Sequence, residues 1–220
     1  MSAGFRVALT FDAEHPDRPN DGLGAARIIE TLAAAQTTGT FFVQGRWAEA
    51  NPTMARRIVT DGHLVGSHSQ YHARMPLFTP RGFATDVRAA EGAIRRVARV
   101  DPRPWFRLPF GSGATSPEVI AALAALGYRH VGWHVDVKEW RRRETIASVR
   151  DRALELVRAH GDGAIVLLHT WPDPVGLALP ALIERLASDG ARFVRVDELG
   201  LGDGLEPVAE PRPADATTRR

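Results

Sequence analysis

Cysteine is absent from all 220 residues. That excludes a disulfide framework and a thiolate-held metal, so any metal here has only histidines and carboxylates to bind it. No run of eighteen apolar residues occurs, which excludes a membrane-spanning helix. Lysine is almost missing too: of 28 Lys and Arg residues, only Lys138 is a lysine. The sequence pI of about 9.6 therefore reflects arginine, which stays charged far above neutrality, and not the net charge of only +2. Aromatic residues make up 7%, and no basic stripe is interleaved with them, so nucleic acid is not an expected partner. Arg141 to Arg143 read as the solvated start of a helix. The chain opens with no basic segment, apolar stretch and cleavage site, but runs directly into a strand-like segment. The expectation is a cytoplasmic protein with no membrane partner.

What is present is ordinary for a globular α/β domain: 44% hydrophobic and 25% charged residues. Phe5 to Phe11 reads as a strand ending at Asp12, followed by turn residues from His15 to Gly22. An apolar stripe through Leu23, Ile28, Ile29, Leu32 and Ala33 predicts a helix. Thr40 to Val43 is a second strand, Pro52 to Asp61 a short helix stopped by Gly62, and Leu64–Val65 a short strand. Thr79–Pro80 and Ser116–Pro117 are helix starts with a capping hydroxyl and a proline in the first turn. The first of these helices is expected to reach about Val97, and the second to end at Gly127. Trp105 to Leu108 and Arg129 to Trp133 are strand-like, and Thr145 to Ala159 is helical. Ala164 to Leu168 is an apolar strand ending at His169, Leu179 to Ser188 a helix, and Arg192 to Val196 a last strand. Some seven strands alternating with about six helices predict a single α/β domain over 1–202, a barrel of parallel strands with helices outside. An open flavodoxin-like sheet is the alternative, but no glycine-rich nucleotide loop follows the first strand. Residues 203–220, rich in Pro, Glu and Ala, are expected to form a disordered tail.

The chemistry gathers at strand ends. His68 and His72 are four residues apart in Gly66-Ser-His-Ser-Gln-Tyr-His72 and project to one side if that segment is helical or tightly turned. Alone, such a pair is more often two solvated loop histidines than a pair of metal ligands. Asp12, Arg107, Asp136 and His169 also sit at the carboxyl ends of strands, where catalytic groups converge in barrels and doubly wound sheets.

Five short motifs in order give these residues a common context: Thr10-Phe-Asp12, His68-Ser-Gln-Tyr-His72, Arg107-Leu-Pro-Phe-Gly111, Asp136-Val-Lys-Glu-Trp140 and Leu167-Leu-His169. Together they resemble the polysaccharide deacetylase family, also called the NodB homology domain or carbohydrate esterase family four, over about residues 5 to 200. The resemblance implies a distorted (β/α) barrel and metal-dependent hydrolysis of a C–N amide bond, with an N-acetylated amino sugar, as a small molecule or oligosaccharide, as substrate. It implies that Asp12 is the base, that His169 is the acid and that Arg107 tethers the base. Asp136 or Glu139 would orient His169, Glu139 being the acid just before Trp140. Phe110 would offer a backbone N–H to the oxyanion, and Trp140 and Trp171 would wall an acetyl-sized pocket. His68, His72 and one carboxylate would hold one divalent metal; such ligands suit zinc, with cobalt, nickel or iron also compatible.

Two departures alter these expectations. The family commonly has two adjacent Asp residues in its first motif, the second binding metal; here that position is Ala13. Glu14 is the natural replacement, since on a regular strand it points to the same side as Asp12 while Ala13 points away. His15, or Asp12 itself, is the alternative ligand. Phe110 stands where the family commonly has Tyr, which keeps a backbone role and removes a hydroxyl. A cyclic amide hydrolase of the same superfamily and a non-catalytic carbohydrate-binding relative are the competing functions. The sequence sets no oligomeric state.

Overall fold

The first strand, β1 (Phe5–Ala13), is sandwiched in a parallel sheet and orders everything around it. Along one edge, Val7 to Asp12 pair with β7 (Ala164–His169). Along the other, Thr10 to Ala13 pair with β2 (Thr40–Val43), and Phe5 to Val7 with β8 (Ala191–Phe193). The remaining strands are β3 (Leu64–Ser67), β4 (Trp105–Phe106), β5 (Arg129–His130) and β6 (Val135–Asp136), in the order β5-β4-β3-β2-β1-β7-β6. Every pairing is parallel. The helices are α1 (Gly24–Ala34), α2 (Gly45–Ala50), α3 (Pro52–Thr60), α4 (Pro80–Ala98), α5 (Pro117–Ala125), α6 (Ile146–His160) and α7 (Asp173–Ser188). The computed structural model describes residues 4–16 and 18–201; the tail expected from 203 onward lies outside the described residues.

Side-chain parity explains the layering. Val7, Leu9, Phe11 and Ala13 of β1 join Ala164, Val166 and Leu168 of β7, and Phe41 and Val43 of β2, in a core shared with Ile28, Leu32, Ile58, Leu179 and Leu182 of the helices. The alternate residues Ala8, Phe42, Ile165 and Leu167 pack with Val131, Trp133 and Val196 on the opposite face. A sheet covered on both faces needs apolar residues at nearly every position, as these strands have. Polar residues of the second parity, Thr10 and Asp12, face inward near the carboxyl end. Gly66 belongs to that parity as well: a Cβ there would lie 2.7 Å from the Phe42 ring.

The sheet curls into a half-barrel. Its edges β5 and β6 are adjacent in sequence, and the loop between them is tied to both flanks: Val131 N–H donates to Phe106 O (2.8 Å) and His134 N–H to Ile165 O (2.9 Å). The barrel expectation holds, and the doubly wound alternative does not.

Local differences have local causes. The strand expected over Trp105 to Leu108 pairs only through Phe106 before Pro109 and Phe110 turn it, and that over Arg129 to Trp133 only through His130. Helix α2 and strand β6 were not expected from the sequence. Helix α7 starts at Asp173, six residues before the predicted Leu179, and carries Pro180 inside. The last strand ends at Phe193, and Val196 begins a 3-10 turn.

Candidate active site

Asp12 is the last inward residue of β1, and Glu14 follows one pleat later; both are buried, while Ala13 points into the helix-side core. A carboxylate at position 13 would have been turned away from the barrel, and one at position 14 is turned into it. Asp12 Oδ1 accepts a hydrogen bond from Arg107 Nη1 at 2.9 Å. The Arg107 side chain is fully buried, and it also donates to Thr10 Oγ1 (2.8 Å), Val131 O (3.2 Å) and Gly132 O (3.0 Å). Its guanidinium lies 4.1 Å over the Phe42 ring. Burial pulls the Arg107 pKa down, and the Asp12 charge only partly offsets this. Arginine nonetheless keeps its proton, so Asp12 sits beside a permanent cation.

The two histidines stand on a turn, not a helix. Ser69 and His72 both have left-handed backbones, with φ of 62° and 55°. Three pieces hold this conformation. Ser69 Oγ accepts from His72 N–H (2.9 Å). Asp86, buried on α4, accepts from Gln70 N–H (3.0 Å) and Tyr71 N–H (3.2 Å). The first turn of α2 donates from Gly45 N–H to Ser69 O (2.9 Å). Gly45 is required there, because a Cβ would lie 1.9 Å from Gln70 Oε1 and 2.9 Å from Ala90 Cα.

His68 Nδ1 donates to Arg107 O at 2.8 Å. That fixes the tautomer and leaves a lone pair on Nε2, the arrangement of a metal-ligating imidazole. Nε2 lies 3.4 Å from Glu14 Oε2 and 3.5 Å from Asp12 Oδ2, and His72 Nε2 lies 2.5 Å from Glu14 Oε2. Among the described residues, Glu14, His68 and His72 each present a ligand atom, all within 4.8 Å of one another. Glu14 Oε2 and His68 Nε2 are buried without a hydrogen-bond partner. Two buried, unsatisfied electron-pair donors facing each other are costly alone and suit a shared cation, so these residues fit a divalent metal. Burial raises the Glu14 pKa, but the charge of His72, the nearby ring nitrogens of His68 and His72, and the charge of His169 outweigh it and hold the carboxyl well below its usual range. Burial likewise opposes charging His68, yet Asp12 and Glu14 raise its pKa. The same negative field favours a metal ion at Nε2.

His169 ends β7, directly beside Asp12 in register. Glu139 Oε1 accepts both its Nδ1–H (2.6 Å) and its backbone N–H (2.7 Å). Burial lowers the His169 pKa, but Glu139, then Glu14 and Asp12, raise it to about 9. At neutral pH His169 is therefore an imidazolium with Nε2, 3.9 Å from Glu14 Oε1, as its second N–H.

Asp12, His68, His72 and His169 line one small cleft with Phe110, Trp133, Asp136 and Leu167. Its volume of about 10 Å³ is room for roughly one water. Phe110, with a φ of 59°, places its ring centroid 4.5 Å from that of His72, the two planes tilted by 55°. Asp136 faces the cleft and accepts from Lys138 N–H (3.0 Å), while Glu139 is the carboxylate on His169 Nδ1. Trp140 and Trp171 stand outside the cleft lining. Trp140 offers its carbonyl to Arg18, and Trp171 donates Nε1–H to Glu14 Oε1 at 3.0 Å. Trp133, read from the sequence as core, contributes to both core and cleft. Asp86 carries no functional signal in the sequence, and Thr10 lies in the first motif with no role attached: their partners are 15 or more residues away, so only the fold reveals what they hold.

A family model described as "Polysaccharide deacetylase" matches residues 3–131. The chain belongs to the polysaccharide deacetylase family. A chitooligosaccharide deacetylase of Sinorhizobium fredii is 33% identical over 172 residues, which cover 78% of this chain and 75% of that relative. A solved T48 deacetylase with substrate superposes with a TM-score of 0.77 at 31% identity, covering 93% of this chain and 94% of that one. A family 4 pseudoenzyme from Bacillus anthracis superposes with a TM-score of 0.78 at 26% identity, covering 89% and 65%. The chain spans only 52% and 38% of the first longer curated relatives it matches. Polysaccharide deacetylases thus include catalytic and non-catalytic members on one curled barrel, and the half-barrel described above is theirs.

Proposed function

We propose that the protein is a metal-dependent deacetylase that hydrolyses the N-acetyl group of an amino sugar, free or within an oligosaccharide. The observation that carries this reading is the convergence of two differently prepared groups on the Glu14/His68/His72 cluster: a carboxylate paired with Arg107 and an imidazolium paired with Glu139.

A divalent ion bound there, zinc being the best match to two histidines and a carboxylate, supplies a Lewis acid for the acyl oxygen and activates water near neutral pH. Arg107 holds and aims the Asp12 carboxylate, so Asp12 serves as the base that takes the proton from the attacking water. His169 holds its proton on Nε2 and gives it to the departing nitrogen, while Glu139 stabilises the cation and fixes the tautomer. The backbone N–H of Phe110 adds a donor for the oxyanion. Trp133, Leu167 and Phe110 give the cleft apolar walls of a size to hold an acetyl methyl and exclude bulk water.

The test is acetate release from N-acetylglucosamine oligomers, measured with and without chelator and added Zn²⁺. We expect turnover that chelation abolishes and metal restores, and none in a folded His72→Ala variant. Tight metal binding without acetate release from any N-acetylated sugar or ring opening of any cyclic amide would favour a non-catalytic carbohydrate-binding protein.

A further inference from the structure

A glutamate at position 14 is one residue displaced and one methylene longer than the aspartate common at position 13. A longer carboxylate has an extra torsion and two equivalent oxygens, so it can turn away from the histidines or offer both oxygens at once. In this chain one oxygen is already taken. The Trp171 indole N–H donates to Oε1 at 3.0 Å, leaving Oε2 as the oxygen that faces His68 and His72. We propose that Trp171 is a positioning residue of the metal site, which makes Glu14 a single-oxygen ligand and fixes its rotamer. This inference rests on the metal reading of Glu14, His68 and His72 given above.

Several features show that the indole is held in place. Trp171 and Glu14 are both almost fully buried, at 4% and 3% exposure, so the hydrogen bond faces little competition from water. Thr170, next to Trp171, is locked to the base-bearing strand by its N–H to Asp12 O at 3.1 Å. Helix α1 begins with Gly24 against the same backbone. A Cβ there would lie 2.1 Å from Thr170 O, so only glycine lets α1 approach this closely. From outside, the Arg18 guanidinium stacks 4.8 Å over the Trp171 ring and donates to Trp140 O. The indole is therefore clamped between the strand layer and a cation, with its N–H aimed at Glu14. Tryptophan suits the task because it is a donor and never an acceptor. It cannot compete for the metal.

The experiment is an equilibrium titration of the metal-free full chain with Co²⁺, read by visible absorbance, and with Zn²⁺ by competition. It uses wild type, Trp171→Phe, Glu14→Gln and the double variant. Phenylalanine keeps the apolar bulk and loses the N–H. Outer-shell partners of this kind are typically worth about 10- to 100-fold in metal affinity. We expect Trp171→Phe to weaken metal binding by about tenfold or more and to shift the Co²⁺ absorption bands, and to have no further effect once Glu14 is Gln. Thermal unfolding of the metal-free variants checks that the fold persists. If Trp171→Phe does not fold, Glu14→Asp tests the same bond from its other end. The shorter carboxylate cannot reach both indole and histidines, and we expect a comparable loss. Glu14→Gln weakened but Trp171→Phe within twofold of wild type would overturn the inference and leave the metal site standing; so would Glu14→Asp binding as tightly as wild type. Equal binding by wild type and Glu14→Gln would overturn the metal assignment and the inference with it.

Discussion

His169 illustrates how one carboxylate sets the role of a buried imidazole. Burial alone would make it a neutral histidine, unable to protonate a leaving amine at pH 7. Glu139, accepting at 2.6 Å, reverses the sign and lifts the pKa to about 9. Because the folded-state pKa is raised, the proton is held through neutrality and lost as pH rises through about 9. In the metal-loaded enzyme the alkaline limb of kcat should fall below that value, because a divalent ion on Glu14 opposes the charge of the nearby imidazolium. Glu139→Gln removes the negative charge, so the limb should move to lower pH, whereas Asp136→Asn should leave its position unchanged. A pH–rate profile of the three proteins decides it, and an unmoved limb in Glu139→Gln would assign that limb to another group. Arg107 carries a second residue-scale prediction. Its guanidinium and the Asp12 carboxylate form a buried pair, at 0% and 4% side-chain exposure. Removing one member of such a pair typically costs about 3–5 kcal/mol, because the other charge is left buried alone. Arg107→Met should lose about that much stability in urea unfolding, as well as activity. A loss under 1 kcal/mol would mean that Asp12 reaches water or another partner.

At the scale of elements, the turn from Ser69 to His72 has little stability of its own, with two non-glycine residues at positive φ, and its support comes from α2 and α4. Asp86→Ala strands the Gln70 and Tyr71 amides. It should cost roughly 1–3 kcal/mol and weaken metal binding through His72. Asp86→Asn, which keeps one acceptor oxygen, should be intermediate in both unfolding and metal titration. None of this support is visible in sequence, because Asp86 reads as one more polar residue on an amphipathic helix. What was legible had local causes. Thr79 and Ser116 cap the helices expected to start there, each accepting from the backbone N–H three residues on, and Thr145 does the same for the helix expected from 145 to 159. Period-two reasoning on β1 put Glu14 inside and Ala13 outside, as the structure has them. What was illegible had distant causes. Gly176 and Pro180 both disfavour a helix interior, yet α7 starts before them, at Asp173. Gly176 sits where a Cβ would press 2.8 Å from Arg27 Cβ, so glycine there serves the close packing of α1 on α7. Pro180 removes one N–H from that helix, a cost that its buried residues Leu179, Leu182 and Leu186 offset. Short α2 escaped notice because six residues are too few to show a helical period.

At the scale of the whole molecule, the candidate site joins parts of the chain that are far apart in sequence. Glu14 follows the central strand β1, His68 follows β3, His72 lies on a turn held by α2 and α4, and Trp171 precedes α7. The half-barrel has no edge-to-edge hydrogen bonds between β5 and β6 among the described residues, and Arg107 reaches the loop between them through Val131 O and Gly132 O. An ion that binds only when these pieces are assembled must stabilise the folded chain. The gain follows RT ln(1 + [L]/Kd), about 2.7 kcal/mol with the free ion at 100 times its Kd. For a domain of this size each kcal/mol is worth roughly 2–4 °C, so saturating Zn²⁺ should raise Tm by roughly 5–11 °C over chelated protein. Glu14→Gln and His72→Ala should each remove most of that shift. The metal-free Tm should also fall in Glu14→Gln, because the carboxylate charge is favoured by the surrounding histidines, so the test compares each variant with and without metal. A Zn²⁺-dependent shift that survives in both variants would place the stabilising ion elsewhere on the chain. A shift lost in both, with the metal-free proteins still folded, would place the stabilising ion at the Glu14, His68 and His72 cluster and tie its affinity directly to the stability of the assembled barrel.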